Sequence, residues 1–106
     1  MPMFGAQFFQ MSNAIFHYGL TPDQFTVYCY LVCCAGQKEL CWPSVKTVAA
    51  CCGLSENTVR KAVTALVERG FIRKVATKQV RRDGNWRQSN NHYYILDLPA
   101  LPRNRV

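Results

Sequence analysis

The stretch PSVKTVAACCGLSENTVR, residues 43–60, decides the fold. It contains two runs in which apolar residues recur at helical spacing, and each run follows a serine that can cap a helix, Ser44 and Ser55. Gly53 separates the two runs and can adopt the positive φ that a sharp turn requires. Ala49 is small at the point where two helices must cross closely. The stretch therefore predicts two helices joined by a tight turn.

A further helix is predicted before this stretch. Thr21 is a capping residue, Pro22 suits the first helical position, and Gln24 stands three residues after the cap. This helix is expected over Pro22–Ala35, and the third helix is expected between Ser55 and Gly70. The residues predicted to face the core are Phe25, Tyr28, Leu31, Val32 and Ala35 in the first helix, Val45, Val48, Ala49 and Cys52 in the second, and Leu54, Val59, Ala62, Val63, Leu66 and Val67 at the third.

After Gly70 the apolar pattern no longer has a helical period. Residues 71–80 are predicted to form a strand, 81–91 a polar connection with an Asp83-Gly84 turn, and 92–98 the returning strand. This order predicts a mainly α fold with a small β-hairpin (α+β): a winged helix-turn-helix with a three-helix core and a two-stranded wing. It is expected to form one domain, in which 1–20 are an N-terminal extension, 21–70 the core, 71–98 the wing and 99–106 a tail.

Positive charge is concentrated in the second part of the chain. Residues 1–37 carry a single charged side chain, Asp23, whereas residues 38–106 hold all 13 basic and five acidic residues, which leaves a net charge of +8. Clustered Lys and Arg displace counterions from phosphate backbones. A polyanion is therefore the expected partner, and a basic surface that only confers solubility is the alternative.

Motifs along most of the chain resemble those of one protein family. They lie at 8–20, 28–31, 42–44 (Trp-Pro-Ser), 54–59 and 66–72, and at Ser89-Asn90-x-x-Tyr93. The chain is similar to the winged helix-turn-helix domain of bacterial plasmid, phage and conjugative-element proteins, many of them replication initiators or small regulators. The resemblance implies sequence-specific binding of double-stranded DNA, with the third helix reading bases and the hairpin contacting the backbone or minor groove. The chain departs from the family pattern at Glu56, where a basic residue is common.

Polar residues of the third helix are the candidates for reading DNA bases. Asn can contact adenine with two hydrogen bonds, Glu can accept from cytosine, and Arg or Lys can bind guanine or a phosphate. Asn57 is the first choice for a residue that reads a base. The alternative is that these polar residues, together with Glu68, form an ordinary solvated face of the helix. The predicted contacts are Ser55, whose hydroxyl can instead cap the helix, and Glu56, Asn57, Thr58, Arg60, Lys61 and Thr64.

The second helix and the wing supply further candidates. At the start of the second helix, Ser44, Lys46 and Thr47 lie where backbone N–H groups and the helix dipole favour a phosphate, although capping alone also explains Ser44. The wing is rich in cations around its glycine turn. Trp86 lies at or near the tip, where it is expected either to contact DNA or to fold onto the sheet or lie in a dimer interface. The predicted wing contacts are Lys78, Arg81, Arg82, Asn85, Trp86 and Arg87.

The six cysteines include two adjacent pairs, at 33–34 and 51–52, and no Cys-x-x-Cys motif. Most lie in helical apolar patterns and are predicted to be buried structural residues, while a shared helix face for Cys29 and Cys33 leaves a thiol sensor or metal site open. The chain has only His17 and His92, and no Gly-rich phosphate loop, paired carboxylates or His-Glu-x-x-His. We therefore expect no catalytic role, metal, cofactor or small-molecule substrate.

These patterns predict a cytoplasmic DNA-binding protein. The first basic residue is Lys38, and the longest apolar run without charge, residues 25–36, is too short to span a membrane. A homodimer is expected because one small module reads few base pairs, with Phe4, Phe8, Phe9 and Phe16 as a contact surface. The expected role is transcriptional regulation or origin binding in a replication initiator. The alternatives are a winged-helix protein-interaction module, favoured by Glu56 and Glu68, and a thiol- or metal-responsive regulator.

Overall fold

Three α-helices and five short strands make up the described part of the chain. The computed structural model describes residues 10–80, 82–84, 86–88 and 90–99, with the backbone alone at 78–80 and 86–88. The mainly α, α+β winged helix-turn-helix class is confirmed. No helix in these residues has the length and apolar character needed to cross a membrane. The elements are α1 (Pro22–Ala35), β1 (Leu40–Cys41), α2 (Val45–Cys52), α3 (Glu56–Glu68), β2 (Ile72–Val75), β3 (Lys78–Val80), β4 (Trp86–Gln88) and β5 (His92–Ile95), with 3-10 helices at Asn13–His17 and Gly36–Lys38.

The helices begin and end at the residues that the sequence predicts. Thr21 accepts a hydrogen bond from the Gln24 N–H, and the Gln24 side chain accepts one from the Thr21 N–H, which completes a capping box. Gly53 ends α2 with a φ of 70°. At the end of α3, Gly70 has a φ of 84°, and the N–H groups of Gly70 and Phe71 return to carbonyls of the last helical turn. This Schellman arrangement directs the chain from α3 into β2.

One hydrophobic core lies between the three helices and the sheet. Phe71 is at its centre, with its ring edge-on to Tyr18 at 5.2 Å and Tyr28 at 5.5 Å between centroids. The predicted stripes are largely confirmed, with two differences. Val27 is fully buried, which the sequence does not predict. The reason is that α1 packs against both α2 and α3 and so buries a wider face. Val67, expected in the core, is 36% exposed in the last turn of α3.

The described strands form two sheets, whereas the sequence predicts a single hairpin. β5 lies between β1 and β2 in an antiparallel body sheet, and β3 pairs with β4 in a separate ribbon. The predicted strand 71–80 is interrupted at 76–77, the strand 92–98 ends at Ile95, and the connection 81–91 contains β4. The pairing of β2 with β5 stops at Val75 and His92. Beyond it the Thr77 hydroxyl donates to the Asn90 carbonyl at 2.6 Å, so the chain leaves the body sheet here.

The cysteines are less buried than the sequence predicts. Cys41 is buried and Cys29 and Cys52 are half-buried, but Cys33, Cys34 and Cys51 are exposed. The reason is geometric, because neighbouring residues of a helix point about 100° apart and both members of an adjacent pair cannot face one core. In α2, Cys52 packs against the core and Cys51 points away from it.

Candidate nucleic-acid interface

The outer face of α3 carries most of the predicted base-reading residues. Glu56, Asn57, Arg60, Lys61 and Thr64 are all exposed. Glu56, Arg60 and Thr64 are spaced four residues apart, and Asn57 and Lys61 lie next to the first two of them with the same spacing, so the side chains lie along one side of the helix. The opposite side of α3 is held in the core by four buried residues, Val59, Ala62, Val63 and Leu66. α3 is therefore fixed on one side and presents a continuous polar surface on the other.

An ion pair links two residues of this surface. Arg60 Nη2 lies 3.4 Å from Glu56 Oε1, one helical turn away, and both side chains are well exposed. Exposed pairs with this spacing stabilise a helix by only about 0.3–0.5 kcal/mol, so Arg60 can exchange the carboxylate for a guanine or a phosphate at little cost. Thr64 is held to the same helix, since its hydroxyl donates to the Arg60 carbonyl at 3.0 Å.

α2 and α3 begin with the same arrangement of hydroxyl groups. Ser44 Oγ accepts from the Thr47 N–H at 3.1 Å and donates to Thr47 Oγ1 at 2.9 Å, and Ser55 makes the same two contacts with Thr58 at 3.1 and 2.8 Å. Thr58 is half-buried, so its predicted exposure is wrong, because its hydroxyl turns back toward the cap. A hydroxyl that accepts one bond still has a hydrogen to donate. Thr47 is exposed and can donate that hydrogen to a phosphate.

Ser55→Ala is expected to lower the free energy of unfolding by about 1 kcal/mol, because the substitution removes the cap of α3. Urea denaturation followed by circular dichroism measures this loss. Ser55→Asp is the matched control, since its carboxylate can accept the same hydrogen bond near the positive end of the helix dipole. If Ser55→Ala is as stable as the parent chain, the Ser55 hydroxyl does not stabilise the helix.

The structure places the wing residues only in part. Arg82 is exposed in the turn between β3 and β4, where Gly84 has a φ of 88°. The register pairs Lys78 with Gln88, Gln79 with Arg87 and Val80 with Trp86. Trp86 therefore follows the turn directly, near the tip as expected, and Lys78 lies at the far end of the ribbon. Arg81 and Asn85 lie outside the described residues, as do the side chains of Lys78, Trp86 and Arg87.

Trp42 is a surface residue that the predicted set lacks. It is 53% exposed just before the α2 cap, with its ring centroid 5.7 Å from that of His92. Its carbonyl accepts from Asn90 Nδ2 at 3.3 Å, which connects the start of α2 to the start of β5. Arg73 and Lys74 of β2 are further exposed cations, and the Arg73 guanidinium lies 4.7 Å from the centre of the Tyr94 ring. In the sequence, Trp42 stands out in two ways: it lies outside the apolar stripe predicted for α2, and it belongs to the Trp-Pro-Ser motif at 42–44.

The fold and this surface define a winged helix-turn-helix DNA-binding domain. Two capped helices meet at a tight turn, the second presents a polar face, and a ribbon extends from the adjoining sheet. The helix-turn-helix domain family matches residues 18–72, slightly more than half of the chain, and the chain belongs to this family. The match includes all three helices and ends in β2. No similar sequence is found among curated proteins.

Proposed function

We propose that the protein recognises specific sequences in double-stranded DNA, as a small transcriptional regulator or as the origin-binding module of a replication initiator. The polar face of α3 carries this proposal, because its opposite side is fixed in the core. A helix presented in this way fits the major groove, which is about 12 Å wide and displays a different pattern of donors and acceptors for each base pair. The resemblance to plasmid and phage domains supports the two roles.

The interface divides into a base-reading part and a phosphate-binding part. Asn57 and Arg60 lie one turn apart on α3 and have the chemistry that reads adenine and guanine. At the start of α2, the N–H groups of Val45 and Lys46 have no acceptor within the helix. The exposed Lys46 side chain and Thr47 hydroxyl lie beside them, which favours a phosphate there. Phosphate contacts of this kind fix the register in which α3 meets the bases.

The protein is proposed to act as a homodimer. Phe16 is 75% exposed, with its ring centroid 5.4 Å from that of Phe25, beside an open cavity of about 260 Å³. Such an exposed aromatic surface is suited to contact with a second copy. Phe4, Phe8 and Phe9 lie outside the described residues. Sedimentation at high protein concentration should show a dimer that Phe16→Ala weakens, and a monomer under these conditions would contradict the proposal.

Selection of bound sequences from a random double-stranded DNA pool tests the proposed function. At about 0.15 M salt the non-specific attraction is reduced, and we expect a defined motif, as an inverted repeat if a dimer binds. A chain that carries both Asn57→Ala and Arg60→Ala is the matched control and should recover no motif. If the parent chain enriches nothing and its binding falls uniformly as salt rises, sequence recognition is contradicted.

Arg82→Ala should weaken binding to every DNA sequence by a similar factor, because a cation in the ribbon turn is expected to contact phosphate. The dependence of log Kd on log salt concentration should become shallower by about one unit. Fluorescence anisotropy over a salt series, with a selected and a scrambled duplex, measures both effects. Lys38→Ala removes the same charge from an exposed residue outside the predicted interface and serves as the control. A loss confined to the selected duplex would assign Arg82 to base reading.

A further inference from the structure

Two motifs that are far apart in the sequence meet beside the ribbon. The Trp-Pro-Ser motif at 42–44 precedes α2, and the motif at 89–93 enters β5. Asn90 Nδ2 donates to the Trp42 carbonyl at 3.3 Å, although 48 positions separate the two residues. The Trp42 ring also contacts the ring of His92, with 5.7 Å between their centroids. The chain just before α2 is therefore joined to the chain at the start of β5.

Asn90 also closes the ribbon at its root, which consists of Thr77 and Asn90. The Asn90 carbonyl accepts a hydrogen bond from the Thr77 hydroxyl at 2.6 Å. The pairing of β2 with β5 ends at Val75 and His92, and β3 begins at Lys78, so the root lies in the gap between the two sheets. Asn90 thus holds the opposite side of the ribbon with its backbone and the start of α2 with its side chain.

The position of the ribbon turn depends strongly on its root. A two-stranded ribbon is only marginally stable by itself, so its direction has to be fixed by what it contacts. Arg82 lies five residues beyond Thr77, which corresponds to about 15 Å of extended chain at about 3.3 Å per residue. A rotation of about 15° at the root would move this turn by about 4 Å, which is enough to break any hydrogen bond that Arg82 makes.

Neighbouring contacts stabilise the body sheet and not the ribbon. His92 and Tyr94 belong to β5, so their ring contacts with Trp42 and Arg73 lie within or beside that sheet. Asn90 stands before β5 and is exposed, so its side chain is not part of the hydrophobic core. Removal of the Asn90 amide should therefore leave the body of the domain folded.

We propose that Asn90 is a positioning residue for DNA binding, because it links the ribbon to the start of α2. This inference rests on the proposed binding of double-stranded DNA. Arg82 in the ribbon turn and Lys46 in the first turn of α2 are both predicted to contact phosphates. The Asn90 link holds the segments that carry them at one separation, so the ordering of the ribbon does not have to be paid for when DNA binds. Asn90 itself contacts the protein.

Residual dipolar couplings of the backbone amides test the position of the ribbon without DNA. In the weakly aligned parent chain, the couplings of β3 and β4 should fit the same alignment as those of the helices. Asn90→Ala should reduce the couplings of β3 and β4, because the ribbon then samples more orientations, and should leave those of the helices and β5 unchanged. Asn13→Ala removes an exposed amide far from the ribbon in sequence and is the matched control.

Thr77 provides a second pair of variants for the same measurement. Thr77→Val removes the hydroxyl and should reduce the ribbon couplings as Asn90→Ala does. Thr77→Ser retains the hydroxyl and should keep the parent values. The proposal is overturned if Asn90→Ala leaves the ribbon couplings at their parent values, or if it reduces the couplings of the helices to the same extent.

A double-mutant cycle measures the effect of the link on DNA binding. Anisotropy titrations with a scrambled duplex compare Arg82→Ala in the parent chain and in the Asn90→Ala chain. The loss caused by Arg82→Ala should be at least about twofold smaller in the Asn90→Ala chain, because the ribbon is no longer held against the phosphate. Lys46→Ala, on α2, should cost the same factor in both chains.

The two measurements separate failure of this inference from failure of the proposed function. Equal losses for Arg82→Ala in the two chains would overturn the positioning role of Asn90 in DNA binding, even if the parent chain binds DNA well. If the parent chain binds no duplex at all, the proposed function is wrong, and reduced ribbon couplings in Asn90→Ala would then assign Asn90 to the orientation of the ribbon alone.

Discussion

Phe71→Ala is expected to lower the free energy of unfolding by about 3–5 kcal/mol, the largest effect of any substitution considered for this chain. Phe71 is fully buried and contacts the rings of Tyr18 and Tyr28, so alanine would leave a cavity where α1, the segment before it and β2 meet. A domain of this size is stable by only about 5–15 kcal/mol, so a large part of its stability would be lost. Urea denaturation followed by circular dichroism measures the change.

Val75→Ala, in the strand that directly follows Phe71, is the control for this substitution. Val75 is 36% exposed at the end of β2, and its truncation should change stability by no more than about 0.5 kcal/mol. Phe71→Leu should lose less than Phe71→Ala, since leucine fills part of the cavity. Equal losses for Phe71→Ala and Val75→Ala would contradict a core centred on the Phe71 ring.

Asn57→Ala and Arg60→Ala should each weaken binding to the selected DNA sequence by about 1–3 kcal/mol, which is roughly 5- to 150-fold in Kd. Each side chain is exposed on α3 and can form two hydrogen bonds with a base edge, so its removal leaves that edge unpaired. Binding to unrelated DNA should change much less. Anisotropy titrations with the selected duplex, and with duplexes altered one base pair at a time, identify the base pair that each residue reads.

The signature of base reading is a loss that depends on sequence. Lys38→Ala removes one positive charge, as Arg60→Ala does, and should reduce binding only slightly and on all duplexes alike. Both α3 variants should unfold at nearly the same urea concentration as the parent chain, because their side chains lie outside the core. If every variant loses the same affinity on every sequence, the assignment of α3 to base reading is wrong.

Helix boundaries were predictable because a cap depends on residues within four positions of one another. Thr21, Ser44 and Ser55 each cap the helix that follows them, as the sequence indicates. The division of the strands was not predictable in the same way. β1 has only two residues and pairs with β5 more than 50 positions later, so no local periodicity reveals it. The interruption at 76–77 likewise depends on where β5 begins, since Val75 pairs with His92, the first residue of that strand.

In the candidate interface, too, features that depend on nearby residues were predictable, and features that depend on packing were not. The exposed face of α3 follows from the helical period, and the structure confirms its exposure at every predicted position from Glu56 to Thr64 except Thr58. The cap hydroxyl of Ser55 determines the orientation of Thr58, which a helical projection does not represent. The exposure of Cys34 and Cys51 depends on how two helices pack, and cysteine itself is compatible with a core or with a surface.

The hydrogen bond between Thr77 and Asn90 makes the ribbon an exchangeable unit. It joins the segment that leaves the body sheet after β2 to the segment that returns before β5. The two ends of the intervening part of the chain are therefore already held together. The entropy of closing such a segment depends only weakly on its length. In the course of evolution, insertions or deletions between these two residues can change how far the protein extends along DNA while the register of β2 and β5 is retained. Divergence among relatives should therefore accumulate in the ribbon first.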